Sequence, residues 1–158
     1  MTSSSSSLRD FGEFVLMVED EICVKKITRL ILHSCGYRLV TASDGIEALS
    51  VFMEHRDALT MIMTDLKMPR LGGMELVREI RDMDGNIPIV VVSGYLDDAV
   101  VAELQKFGVT DFLNKPFTGT QLLDLITEVS GRAKLPRRLH RASALTRPER
   151  IAAASWEN

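Results

Sequence analysis

The chain has 158 residues, of which 46% are hydrophobic, and a formal net charge of −3. This length and composition are ordinary for one globular domain with a single buried core. The longest apolar runs, such as 87–92, are far shorter than the ~20 residues of a membrane-spanning helix, and no signal-peptide pattern opens the chain. We therefore expect a cytoplasmic protein without membrane insertion.

The two ends of the chain differ from the rest in composition. Thr2 is followed by five serines, which cannot bury apolar surface, so residues 1–12 are predicted to be a disordered leader. Residues 132–158 contain seven Lys or Arg and two acidic residues, and we interpret 133–158 as a short basic tail. Such a tail can contact nucleic acid, although a solvated extension is the commoner reason for one this short. It is too short for a helix-turn-helix or catalytic output domain, so none is expected.

From residue 14 onward, short apolar runs alternate with amphipathic stretches, a pattern typical of a parallel sheet covered by helices on both faces. The predicted strands cover 14–18, 38–42, 61–65, 88–93 and 110–114. The predicted helices cover 21–35, 45–55, 73–83, 97–107 and 118–129. Right-handed crossovers between such units favour an α/β fold with an open, doubly wound sheet.

The first predicted helix has apolar residues at the spacing that lines one helical face, which we expect to pack on the sheet. These residues are Cys23, Ile27, Leu30 and Ile31. Gly36 is predicted to end this helix, and Thr118 with Gln121 forms a capping-box signature at the start of the last one. Cys23 and Cys35 lie too far apart along the first helix to form a disulfide and are expected to be buried, reduced thiols. The three histidines lack metal-ligand spacing, so a zinc site is not supported.

Hydrophilic residues follow the predicted strands at the point where each strand ends. They are Glu19 and Asp20 after the first strand, Asp65 after the third, Ser93 after the fourth and Lys115 after the fifth. In open doubly wound sheets, ligands bind outside the carboxyl ends of the strands. Three carboxylates gathered there repel one another unless a cation lies among them, and oxygen ligands of this kind suit Mg²⁺. The pattern indicates a magnesium site with Asp20 and Asp65 as ligands, beside which Ser93 and Lys115 could bind a phosphoryl group.

Four motifs at these strand ends together resemble the receiver domain of bacterial response regulators. They are residues 18–21, Asp65 with Met68 and Pro69, Ser93 after a β-branched run, and residues 115–117. The resemblance covers about 14–132, and we assign 13–132 to a receiver domain. It implies a flavodoxin-like (βα)5 sandwich whose parallel sheet has the strand order 2-1-3-4-5.

The resemblance implies a role for each residue of the site. Asp65 would accept the phosphoryl group, and Lys115 and Ser93 would contact its oxygens. The implied metal ligands are Asp20, Asp65 and the backbone carbonyl of Lys67, with Glu19 acting from outside the direct ligands. Mg²⁺ is the expected cofactor, with Mn²⁺ as an alternative, and the Lys115–Pro116 bond is expected to be cis.

In the family, phosphorylation draws the Ser93 hydroxyl inward and an aromatic residue on the fifth strand follows it. That residue is Phe112 here, whose coupling would be steric because it lacks a hydroxyl; an ordinary core role for Phe112 is equally consistent with the sequence. The resemblance implies a sensor histidine kinase or histidine phosphotransfer protein as phosphoryl donor. A downstream protein would bind the face made by helix 4, strand 5 and helix 5.

Three functions remain open at this stage. The first is a single-domain response regulator that signals by phosphorylation-dependent protein contact and catalyses only its own phosphorylation and slow dephosphorylation, so that it is not an enzyme with an external substrate. The second is a receiver-like scaffold or adaptor that works without phosphate, against which the intact acidic residues argue. The third, ranked last, is nucleic-acid contact through the basic tail, whose affinity would fall steeply with salt.

Overall fold

The computed structural model describes residues 13–134. The predicted leader, 1–12, and residues 135–158 of the predicted basic tail lie outside the described residues. The proposed contact of that tail with nucleic acid therefore also concerns residues outside this range.

Five strands alternate with five helices along the described chain. The strands are β1 (Phe14–Val18), β2 (Arg38–Ala42), β3 (Met61–Thr64), β4 (Ile89–Ser93) and β5 (Asp111–Asn114). The helices are α1 (Ile22–Ser34), α2 (Gly45–His55), α3 (Gly73–Met83), α4 (Asp98–Lys106) and α5 (Gly119–Ala133). All ten predicted elements are present, and their bounds agree with the prediction to within one residue except at the end of α5, which runs to Ala133.

All strand pairs are parallel, and the sheet order is β2-β1-β3-β4-β5. This confirms the predicted doubly wound α/β fold. β2 lies on one side of β1, whereas β3, β4 and β5 follow on the other side. The strand order therefore reverses between β1 and β3, where Val18 pairs with Thr64. Residues that follow β1 and β3 are therefore neighbours at the switch point, which is where folds of this type bind ligands.

The core consists of two apolar layers, one on each face of the sheet. Because successive side chains of a strand point to opposite faces, β1 contributes Leu16 to the layer covered by α2, α3 and α4, and Met17 to the layer covered by α1 and α5. All residues of β1, β3 and β4 are buried, as expected for central parallel strands. This buried sheet carries the polar residues at its carboxyl edge.

The predicted inner face of α1 was wrong in three of its four residues. Thr28 and Leu32 are the buried residues of α1, whereas Ile27 is 57% exposed and Leu30 is 72% exposed. Of the predicted set, Ile31 alone packs against the core and Cys23 is exposed. The helix carries apolar residues on more than one face. The sequence periodicity selects the face with more apolar residues, whereas the sheet contacts the face that contains Thr28 and Leu32.

The expectation of buried thiols was also wrong. Cys23 and Cys35 are both exposed, and both are free.

Gly36 ends α1 as predicted: its φ of +84° lies in the left-handed region that glycine adopts without steric cost. The capping box at α5 is also present, because the side chains of Thr118 and Gln121 each accept a hydrogen bond from the other's backbone N–H.

Candidate acidic site at the carboxyl edge of the sheet

Three carboxylates meet at the switch point and form, with Lys115, what we call the acidic pocket. Glu19, Asp20 and Asp65 each offer an oxygen, and these oxygens lie within 4.8 Å of one another. Glu19 and Asp65 are buried and Asp20 is exposed. The backbone holds them in place, since Glu19 N–H donates to Ala42 O and Asp65 N–H donates to Val18 O. The sequence-predicted acids are thus brought together.

Lys115 reaches the pocket from the end of β5. Its Nζ lies 2.6 Å from Glu19 Oε2, 2.8 Å from Asp65 Oδ2 and 3.8 Å from Glu21 Oε1. The Lys115–Pro116 bond is cis, as expected from the family resemblance. One ammonium therefore faces three carboxylates, with Asp20 beside two of them, and the pocket retains an excess of negative charge.

Burial and charge act on the ionisable groups of the pocket in opposite ways. Burial raises the pKa of Glu19, and the hydrogen bond from Lys115 offsets only part of that effect. Burial also acts to lower the pKa of Lys115, but hydrogen bonds to Asp65 and Glu19 outweigh it and hold that pKa above its usual value. Lys115 is therefore a fixed positive charge in this pocket at neutral pH.

Asp65 is held in a defined orientation. Its Oδ2 accepts the hydrogen bond from Lys115, and its Oδ1 accepts one of 2.6 Å from Leu66 N–H. Gly73, the first residue of α3, approaches so closely that a Cβ atom there would lie 2.0 Å from Asp65 O. Only glycine fits this contact, which brings the β3–α3 loop (residues 65–72) tightly against the end of β3.

Ser93 and Lys67 lie next to the pocket, but their side chains engage Tyr95. The Ser93 side chain is fully buried, and its hydroxyl oxygen accepts a hydrogen bond of 3.1 Å from Tyr95 N–H. The Lys67 ammonium lies 3.1 Å from the centroid of the Tyr95 ring, a cation–π contact. Tyr95, which the sequence analysis did not single out, thus links the loops that follow β3 and β4. Phe112 is half-buried and packs against the layer formed by α2, α3 and α4.

A second feature missed by the sequence analysis is an ion pair beside the β3–α3 loop. Arg70 of that loop pairs with the buried carboxylate of Asp44, which also caps α2 by accepting a hydrogen bond from Glu47 N–H. Asp44 with Glu47 three residues later is a helix-start signature that the sequence contains. The pairing of Asp44 with Arg70 joins residues 26 positions apart, and no local sequence pattern predicts it.

Within residues 13–134, no helix is long and apolar enough to cross a membrane.

This fold and this pocket define an α/β module with a buried acidic group at the switch point of its sheet, and comparison with known proteins identifies the family. Residues 15–127 match the model of the response regulator receiver domain family. The chain therefore belongs to this family, which serves two-component signal transduction.

Curated relatives and a solved structure agree with this assignment. The chain is 37% identical to the probable transcriptional regulator ycf27 of Guillardia theta over 70% of this chain and 42% of that protein. It is 32% identical to the chemotaxis protein CheY of Thermotoga maritima over 75% of this chain and 98% of that protein. The chain spans half or less of the length of several curated relatives.

The solved structure is similar in both sequence and fold. It contains CheY of Borrelia burgdorferi in a complex with CheX, BeF₃ and Mg²⁺. The TM-score to that structure is 0.70 at 27% sequence identity, over 74% of this chain and 88% of that chain.

Proposed function

We propose that this chain accepts a phosphoryl group from a phosphohistidine of a partner protein onto Asp65, and that it signals through phosphorylation-dependent protein contact. The observation that carries the proposal is the buried Asp65 carboxylate at the switch point, with one oxygen on Lys115 and two further carboxylates within reach. The family membership of residues 15–127 supports the same role.

The donor set of the pocket fits a divalent cation. A single lysine leaves the acidic group with excess negative charge, and hard carboxylate oxygens are the ligands that Mg²⁺ prefers. We assign Asp20, Asp65 and the backbone carbonyl of Lys67 as its ligands, with Glu19 acting from outside the direct ligands and Mn²⁺ as an alternative. When bound, the cation neutralises charge on the phosphoryl oxygens.

The protein side chains carry out the transfer by position and charge. An Asp65 oxygen forms the new bond to phosphorus as the phosphorus–nitrogen bond breaks, and the imidazole leaves with the electron pair. The Lys115 ammonium, already beside Asp65, stabilises negative charge on the transferred group. The Ser93 hydroxyl exchanges its contact with Tyr95 N–H for a hydrogen bond to the phosphoryl group. Phe112 then moves into the space that Ser93 leaves.

The exposed face of α1 supports a protein as phosphoryl donor. Ile22, Ile27 and Leu30 are 64%, 57% and 72% exposed on a helix that begins two residues after Asp20. Large apolar side chains beside a reactive pocket are suited to bind a helix of a histidine kinase or histidine phosphotransfer protein. We assign the downstream target to the face made by α4, β5 and α5.

Intact-mass spectrometry after incubation with Mg²⁺ and acetyl phosphate tests the proposal. We expect one adduct of ~80 Da on the wild type and none on Asp65→Ala, because the acyl phosphate forms on that carboxylate. The control is Asp57→Ala, which removes an exposed carboxylate far from the pocket and should keep the adduct. A folded wild type without adduct, with acetyl phosphate and with a histidine kinase, would instead support a phosphate-independent scaffold.

A further inference from the structure

Arg70 has an unusual backbone conformation. Within residues 13–134 it is the only residue other than glycine with a positive φ, at +64°. This left-handed region costs an arginine free energy that glycine would not lose, since the Cβ crowds the following carbonyl. A side chain kept at such a position usually makes a contact that the surrounding structure requires.

That contact is the ion pair with Asp44. Arg70 Nε donates a hydrogen bond of 2.7 Å to Asp44 Oδ2, and a second guanidinium nitrogen pairs with the same oxygen. Asp44 is only 4% exposed, and its other oxygen accepts a hydrogen bond of 2.9 Å from Glu47 N–H at the start of α2. The guanidinium is therefore anchored to a carboxylate that is itself fixed by a helix.

A second contact ties the β3–α3 loop to the same place. Gly45 N–H, the first of α2, donates a hydrogen bond of 3.0 Å to Leu71 O. A Cβ atom on Gly45 would lie 2.7 Å from that oxygen, so the loop backbone approaches as closely as glycine permits. Two adjacent loop residues, Arg70 and Leu71, are thus held by the amino end of α2.

We propose that Arg70 is a positioning residue for divalent-cation binding: its ion pair with Asp44 holds the β3–α3 loop so that the Lys67 carbonyl points into the acidic pocket. This inference rests on the proposed metal site. Lys67 lies three residues before Arg70, and the start of the loop is held because Gly73 N–H donates a hydrogen bond of 2.9 Å to Leu66 O. Releasing the Arg70 contact loosens residues 67–70, which lie between the anchored Leu66 and Leu71, and this segment must then be ordered again when the cation binds.

The test compares Mg²⁺ affinity with fold stability in the unphosphorylated full chain. Arg70→Gly removes the ion pair and also the steric cost of the positive φ, so urea unfolding without Mg²⁺ should show little loss of stability. The Mg²⁺ dissociation constant from calorimetric titration should rise about fivefold. Asp44→Asn keeps a competent helix cap but not the charge, and it should weaken Mg²⁺ binding similarly.

Two further variants separate positioning from a general loss of an ion pair. Arg78→Ala breaks an exposed pair with Glu103 away from the loop and should leave Mg²⁺ affinity unchanged. Arg70→Lys keeps the charge and should recover part of the affinity that Arg70→Gly loses. If wild type binds Mg²⁺ and both Arg70→Gly and Asp44→Asn match it, the positioning role is overturned alone. If wild type binds no Mg²⁺, the proposed metal site fails, and the positioning role fails with it.

Discussion

The charged residues at the two edges of the sheet are paired differently. At the amino edge, Asp111 pairs with Arg132 and Glu13 pairs with Lys134, so that each of these two acids has its own base. At the carboxyl edge, Lys115 alone forms ion pairs with both Glu19 and Asp65, and further carboxylates lie close by. Balanced pairs need no ligand, whereas an unbalanced group gains from an external cation. Charge balance therefore distinguishes the site from the scaffold.

Cavity size alone points to the edge opposite the proposed site. The amino edge has a cavity of about 1030 Å³, lined among others by Arg81, whose guanidinium donates to the carbonyls of Phe107 and Ile87. The cavity beside Glu19 and Asp65 measures only about 10 Å³. The larger cavity is open, and several of the charged groups that line it already have partners, among them Arg81, Asp111 and Glu13. The carboxylates that exceed their bases lie at the other edge, where we propose the phosphoryl transfer.

The largest expected effect comes from removing the one base of the acidic pocket. Lys115→Met should lower the free energy of unfolding by about 2 kcal/mol, because it leaves two buried carboxylates without their cation. Lys134→Met, which breaks the exposed pair with Glu13 at the amino edge, should cost only about 0.3 kcal/mol. Urea unfolding in EDTA measures both values. Equal losses for the two lysines would remove the distinction between the edges.

A smaller effect should have opposite signs at the two edges. Asp20→Asn relieves repulsion in the acidic pocket and should raise the free energy of unfolding without metal by about 0.5 kcal/mol. Asp111→Asn breaks the pair with Arg132 and should lower it by a similar amount, about 0.5 kcal/mol. The same urea series reports both. A loss of stability in Asp20→Asn would show that the acidic pocket is balanced after all.

The smallest expected effect concerns Asp44, which lies at the carboxyl edge yet has its own arginine. The hydrogen bond from Glu47 N–H, together with Arg70, holds the pKa of Asp44 below its ordinary value of 3.8. Its ionised form therefore adds stability that is present above pH 3.8 and is lost as pH falls through the lowered pKa. Asp44→Asn should be slightly less stable than wild type at pH 6, and the difference should shrink at pH values below 3.8. Urea unfolding at several pH values measures it, and a difference that grows in acid would contradict this sign.

Local sequence patterns were sufficient for the elements and for much of the site. The strands and helices follow from short apolar runs, helical periodicity, Gly36 and the Thr118 capping box, all of which act over a few residues. The acids and Lys115 were placed together because parallel strands end at one edge. The face of α1 could not be predicted, since its apolar residues exceed what the sheet can cover and only the packing of Thr28 and Leu32 selects the buried side.

The sequence by itself determined the order of the elements, the sheet edge that gathers polar residues and the identity of the acids and lysine there. These features depend on local periodicity and on the rule that parallel strands end together. Only the tertiary structure decided which side of α1 is exposed, that Tyr95 lies over Lys67, and that Arg70 binds Asp44. The last two contacts join residues far apart in the chain, and their geometry depends on how the loops pack against the core.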